Sequence, residues 1–289
     1  MIRSANDALF TLCQTFIVAT ADNRPRLDRR PFGVPIDAVI DPYRMASAPF
    51  LDLLRRLDAI SFGPQGIPMD KWVLFDCAAL PGFIFGFALP AEQLDADERA
   101  LFGLPPDATG LVPISSYAAV PMYEDQHWFG HSLASLNRVL PRRHLHGLAT
   151  ITKALALKAF RVVRFVGATQ WRSKAVHVHA KFGPLDLETA YTPAHSVPET
   201  LTYAFDVTDD ALRGAMGDPT VHIERPKADF YLDADDVDAM MALQSQIELG
   251  GGFVLADRPI TRDGRVLHGI ARRAPGGLRG KERASANRG

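Results

Sequence analysis

GLATITKALALKAFRVVRFVGATQWRSKAVHVHAKFGPLDLETAYTPAH, residues 147–195, carries the sharpest patterning in the chain. Gly147 opens an alanine- and leucine-rich stretch with two lysines, and residues 148–160 predict a helix. The spacing then changes. Along 175–181, Val176, Val178 and Ala180 alternate with His177, His179 and Lys181, and side chains alternate across a strand. Phe182, Gly183 and Pro184 supply a turn. After it Leu185, Leu187, Thr189 and Tyr191 share a face opposite Asp186, Glu188 and Ala190. The two runs predict an antiparallel hairpin with Val176, Val178, Leu185 and Leu187 buried. Its other face would gather two histidines, a lysine and two carboxylates.

Outward from this stretch, strands are expected at 161–171 and 200–207, and a second helix at 235–249. Asp233 or Asp235 would cap that helix and Gly250 would end it. Residues 260–270 predict a hairpin turning at Asp263 and Gly264. Toward the N-terminus, Phe50, Leu53, Leu54 and Leu57 fall at helical spacing after Pro49. Short strands are expected at 71–77 and 82–89, with Pro81 and Gly82 between them. An acidic helix at 92–101 would close at Gly103, and 111–121 and 127–136 look extended. Many strands and few helices predict one α+β domain over residues 1–273, built on a central antiparallel, barrel-like sheet around a small-molecule pocket. Residues 274–289 are glycine-rich and charged and are expected to be a disordered tail.

Composition narrows the function classes. The 289-residue chain has 47% hydrophobic residues and a net charge of −1, which suggests neither nucleic acid nor a membrane surface as a partner. No apolar run is long enough to span a bilayer. The first residues lack the pattern of a secretory signal. Cys13 and Cys77 fit no CxxC motif, so a cytoplasmic protein with reduced thiols is expected. The expected partner is a small-molecule substrate, with no cofactor, and a homo-oligomer is left open.

Three constellations carry chemistry. Lys153 shares a helical face with Ala149, Ala156 and Leu157, where desolvation would lower its pKa and leave a nucleophilic amine; the bland alternative is a lysine that snorkels to water. His177 and His179 on one strand face, with Glu188 from its partner, would make a metal site; the alternative is a wet sheet face. The polar and aromatic run 123–137 has His127 and His131 as acid or base, with Glu124 as partner. No GxSxG surrounds Ser132 or Ser135, so a hydrolase elbow is not supported.

WFGHSLASLN at 128–137 and KALALKAF at 153–160, preceded by VPISSYAAVP at 112–121, resemble segments of the acetoacetate decarboxylase-like superfamily. The resemblance implies a β cone or barrel with a central pocket. A lysine there condenses with a keto acid, and carbon dioxide leaves as the iminium accepts the electrons. Carried onto this sequence, it implies a lyase acting on a keto acid or related carbonyl compound. Lys153 would be the Schiff-base lysine and His131 the proton shuttle. Trp128, Ser132, Asn137 and Tyr117 would bind substrate. His131 and Ser132 stand where the family has arginine and glutamate, and Asn137 stands where its lysine pair begins. The other expectations are the metal enzyme built on His177, His179 and Glu188, and a non-catalytic small-molecule-binding protein of the same fold.

Overall fold

The computed structural model describes residues 7–79 and 83–273. In chain order its elements are α1 (Asp7–Leu12), β1 (Gln14–Val18), β2 (Ala38–Ile40), α2 (Ala48–Phe62), α3 (Lys71–Ala79), β3 (Phe83–Pro90), α4 (Ala96–Phe102), β4 (Leu111–Pro121), β5 (His127–Ser135), α5 (Leu148–Ala159) and β6 (Arg164–Gln170). There follow α6 (Ala175–His179), β7 (Leu185–Thr189), β8 (Thr200–Asp206), α7 (Asp209–Ala215), β9 (Phe230–Asp233), α8 (Val237–Glu248), β10 (Phe253–Leu255), β11 (Ile260–Arg262) and β12 (Arg265–Arg272). The chain divides into two compact units, Met1–Gly167 with Asp206–Ile223, and Ala168–Phe205 with Glu224–Gly289.

In the first unit the strands run in the order β2-β1-β3-β4-β5-β6. The β1–β2 and β5–β6 pairs are parallel and the rest antiparallel. β3 is buried from Phe83 to Leu89, so its sequence reads as a continuous apolar run rather than an alternating one. Gly86 sits at its centre because a Cβ there would lie 2.1 Å from the Ser115 carbonyl oxygen and 2.6 Å from the Phe16 ring. α5 packs on β3, β4 and β5. A buried relay fixes it there. The Phe87 N–H donates to Ser115 Oγ at 3.2 Å, Ser115 Oγ meets Thr152 Oγ1 at 2.7 Å, and Thr152 Oγ1 donates to the Leu148 carbonyl at 2.7 Å. Thr152 has one hydroxyl proton and gives it to Leu148, so Ser115 is the donor between the two hydroxyls.

In the second unit β12 pairs with β9, β10 and β11, β10 continues to β7, and β7 to β8. Asp263 and Gly264 both take positive φ, 52° and 75°, as a two-residue hairpin turn requires. The side chain capping α8 is that of Asp236, which accepts from the Ala239 N–H at 2.9 Å. His268 is fully buried; its Nε2 lies 2.9 Å from the Trp171 carbonyl oxygen, and burial pushes its pKa down to about 4.

The fold is α+β with mixed sheet that does not close. β2 has β1 as its sole partner strand and β9 has β12, among the described residues. The expected barrel is therefore corrected to an open sheet. The expected hairpin at 175–192 is also corrected. Residues 175–179 form α6 rather than a strand, and β7 pairs with β8 and β10. Ser173 Oγ accepts from the Ala175 N–H at 3.1 Å and starts the turn. Val176, His179 and Ala180 are buried there, which is i, i+3, i+4 spacing. The same five residues satisfy both periods, and so short a run does not separate them. His177 is exposed while His179 is buried, and Glu188 is exposed on β7, so the proposed ligand face does not exist. Residues 71–77, expected as a strand, lie in α3. Pro81, Gly82 and the tail 274–289 fall outside the described residues.

Candidate functional site

β5 changes partner geometry midway. Its parallel ladder to β6 covers His127–Gly130 against Arg164–Gly167 and ends there. β5 itself runs on to Ser135, and no described strand pairs with that edge beyond Gly130. At the same point the register with β4 slips. Ala119 faces Gly130 and Ala118 faces Ser132, which leaves His131 as the extra residue of a β-bulge. Bulges re-aim side chains and free backbone groups. His131 is exposed, and Ser132, Leu133 and Ser135 are half-buried.

Gly130 is required at this junction. A Cβ would lie 2.4 Å from Phe165 Cζ and 2.5 Å from the Tyr117 hydroxyl. Gly130→Ala should therefore cost about 1–3 kcal/mol by overpacking. Equilibrium urea unfolding measures it, and a wild-type midpoint would contradict the close approach.

The loop from 136 to 147 leads from the free end of β5 to α5 and holds three arginines, two histidines and no acid. Arg138, Arg142, His144 and His146 are exposed. Arg143 is occupied: its Nε donates to Glu98 Oε1 at 2.8 Å and its Nη2 bonds Glu98 and the Gln93 carbonyl. Glu98 in turn closes the capping box of α4 with Asp95. Gly147 is the N-cap of α5, with φ 74° and no side-chain cap. The Leu148 N–H donates to the Leu145 carbonyl at 3.3 Å, and the positive end of the helix dipole lies beside a basic loop. In a β-helix-β unit the helix starts at the carboxyl end of the first strand, where ligands bind in open sheets.

Asp58 approaches the bulge from α2. Its side chain is buried, with Oδ2 accepting from the Met69 N–H at 2.6 Å and Oδ1 lying 3.4 Å from Ser132 Oγ. Burial raises its pKa, opposed by the Met69 N–H, the Ser132 hydroxyl and His131. The sequence held a signal for this residue. Asp58 follows Leu54 by four positions and so lies on the apolar stripe of α2.

The residues expected to form one site fall into separate groups. Lys153 is fully buried, its Nζ 4.0 Å from the Phe165 ring centre and 5.9 Å from that of Tyr117. Burial holds its pKa well below the usual lysine value. Tyr117 pairs with Leu133, whereas Ser132 pairs with Ala118. Lys153 and Tyr117 therefore lie on one face of the sheet and Ser132 with Asp58 on the other. Trp128 is a core residue packed against both Phe83 and Phe160, with ring centres 5.3 and 5.6 Å away. Asn137 is exposed on the loop, its Oδ1 accepting from Ser135 Oγ at 3.2 Å. His127 Nδ1 sits 2.6 Å from Glu124.

No protein-family model matches this chain, and no curated protein does. Among solved structures it is similar to a protein assigned as an N-acetyltransferase from Lactobacillus plantarum, at 12% identity and a TM-score of 0.36, over 68% of this chain and 99% of that one. It is also similar to an aminoglycoside 6′-acetyltransferase type Ii, at 11% identity and a TM-score of 0.37, over 57% of this chain and 95% of the other. Likeness at that level transfers no activity. The decarboxylase-like resemblance is overturned on the fold: the sheet is open, where that family implies a closed cone or barrel. The keto-acid lyase with its Schiff base falls with it, as does a binding protein of that same barrel fold. The metal enzyme fails separately, since no cluster of three metal-binding side chains occurs among the described residues.

Proposed function

We propose that the first unit binds an acyl coenzyme A thioester and transfers its acyl group to a small acceptor. One observation carries the proposal: the β5–β6 ladder stops at Gly130 and Gly167, at a bulge, leaving the rest of β5 as an open edge that leads to the uncapped start of α5. An open strand edge takes an extended chain bearing amide groups, which adds as a further strand. An uncapped helix start beside basic side chains takes phosphate. A single ligand with both features, an amide-bearing arm ending in a diphosphate, is coenzyme A. The reactive thioester would then lie at the bulge, where freed backbone N–H groups stabilise the developing oxyanion.

A cytoplasmic setting goes with this reading. Cys13 and Cys77 are both buried thiols, and burial pushes them up to about 12 and about 11. No described helix is long and apolar enough to cross a membrane.

Titration calorimetry tests the proposal directly. The wild type should bind acetyl coenzyme A with a Kd below about 1 mM, the upper end of ordinary substrate affinities. Arg142→Glu combined with His144→Glu should weaken binding about tenfold or more, with the loss shrinking at high salt. No binding by the wild type at millimolar ligand would reject acyl transfer.

A further inference from the structure

The bulge places an exposed histidine one residue from the serine whose hydroxyl meets a buried carboxyl group. His131 is the extra residue of the bulge and faces solvent at the open edge of β5. Behind it, Asp58 is buried on α2 and held from two sides, by the Met69 N–H at 2.6 Å and by the Ser132 hydroxyl at 3.4 Å. The groups acting on Asp58 are those two donors and His131. From β4, which α2 also covers, Ser116 and Ala118 face the same side and bring no charge. A carboxyl group held this way is fixed in place near the histidine at the bulge.

We propose that His131 takes the proton from the acceptor's nucleophile, a primary amine or a hydroxyl, while Asp58 positions and charge-stabilises the imidazolium that forms. The inference rests on acyl transfer at this site. The acceptor's nitrogen or oxygen lone pair attacks the thioester carbonyl carbon, and the carbonyl electrons move to oxygen. His131 accepts the acceptor's proton. When the tetrahedral intermediate collapses, the carbon–sulfur bond breaks and its electron pair leaves on sulfur. The imidazolium then returns the proton to the thiolate, giving acylated acceptor and free coenzyme A. Asp58 takes no proton in this sequence and is a positioning residue; His131 is the catalytic one.

Two independent readouts test the pair. The first is turnover, followed as thiol release from acetyl coenzyme A with excess ethanolamine as the probe acceptor, beside calorimetric Kd values. His131→Gln, at an exposed position, should lose about 100-fold or more in kcat with Kd unchanged. Asp58→Asn should lose about tenfold, and its rate should depend on pH differently from the wild type. The second is the carboxyl carbon resonance of Asp58 followed by NMR against pH. His131→Gln should move its midpoint upward, because His131 lowers it in the wild type. Turnover of His131→Gln within threefold of wild type, at unchanged Kd, overturns the proton transfer. An unmoved Asp58 midpoint overturns the pairing even if His131→Gln is slow. A wild type that binds no acetyl coenzyme A overturns acyl transfer and the proton-transfer role with it, while the carboxyl resonance still decides whether the two groups are coupled.

Discussion

Replacing Lys153 with methionine should stabilise the first unit at pH 7 by a few kcal/mol, because folding strips a proton from the buried amine and methionine has none to lose. Two effects compete at this residue. The Phe165 ring face, 4.0 Å from Nζ, favours an ammonium, and such contacts supply about 2 kcal/mol when desolvated. Complete burial disfavours the ammonium by several kcal/mol, and burial wins, because the pKa is held well below the lysine value. The sign of the pH dependence follows. Between the depressed folded pKa and the ordinary value near 10.5, the unfolded chain binds a proton that the folded chain does not. Wild-type stability therefore rises with pH through that window. Urea melts of wild type and Lys153→Met at pH 7 and pH 10 should show the difference between them shrinking as pH rises. A variant less stable than wild type at pH 7 would mean that Lys153 contributes more through its contacts than burial removes.

Gly86→Ala should be among the most damaging single substitutions in the first unit, costing about 3 kcal/mol or more. The added Cβ would meet backbone, the Ser115 carbonyl oxygen at 2.1 Å, as well as the Phe16 ring. A ring can turn away, but the carbonyl can move only if β3 and β4 separate, and their pairing runs the length of β3. A melting temperature within two or three degrees of wild type would refute this, since about 1 kcal/mol shifts it by that much in a chain of this size.

Long elements with one dominant period were legible in the sequence. The helices at 148–159 and 237–248 and the hairpin at Asp263 and Gly264 emerged within a residue or two of expectation. Short runs were not. Residues 175–179 fit two periods at once, and KWVLFDC in α3 is apolar throughout much of its length, so periodicity could not assign it. Parts of the candidate site were visible: His131 and Ser132 stood out in a polar, aromatic run. The bulge was invisible, because it is a relation between β4 and β5 and leaves no mark in either strand alone. Asp58 could have been found as a carboxylate on an apolar helical stripe, but its partners Met69 and Ser132 lie 11 and 74 residues away.

The relay from Phe87 through Ser115 and Thr152 to Leu148 ends on the first residue of α5. Helix ends ordinarily fray, exchanging their amide hydrogens with solvent through small local openings. Here fraying would break a buried chain of three hydrogen bonds that reaches the central strand β3. Amides in the second turn of α5 should therefore exchange with deuterium only as slowly as those of β3 itself, as one cooperative block. A ligand arriving at Gly147 would find its docking geometry already set, and its association rate would be limited by encounter rather than by ordering of the helix.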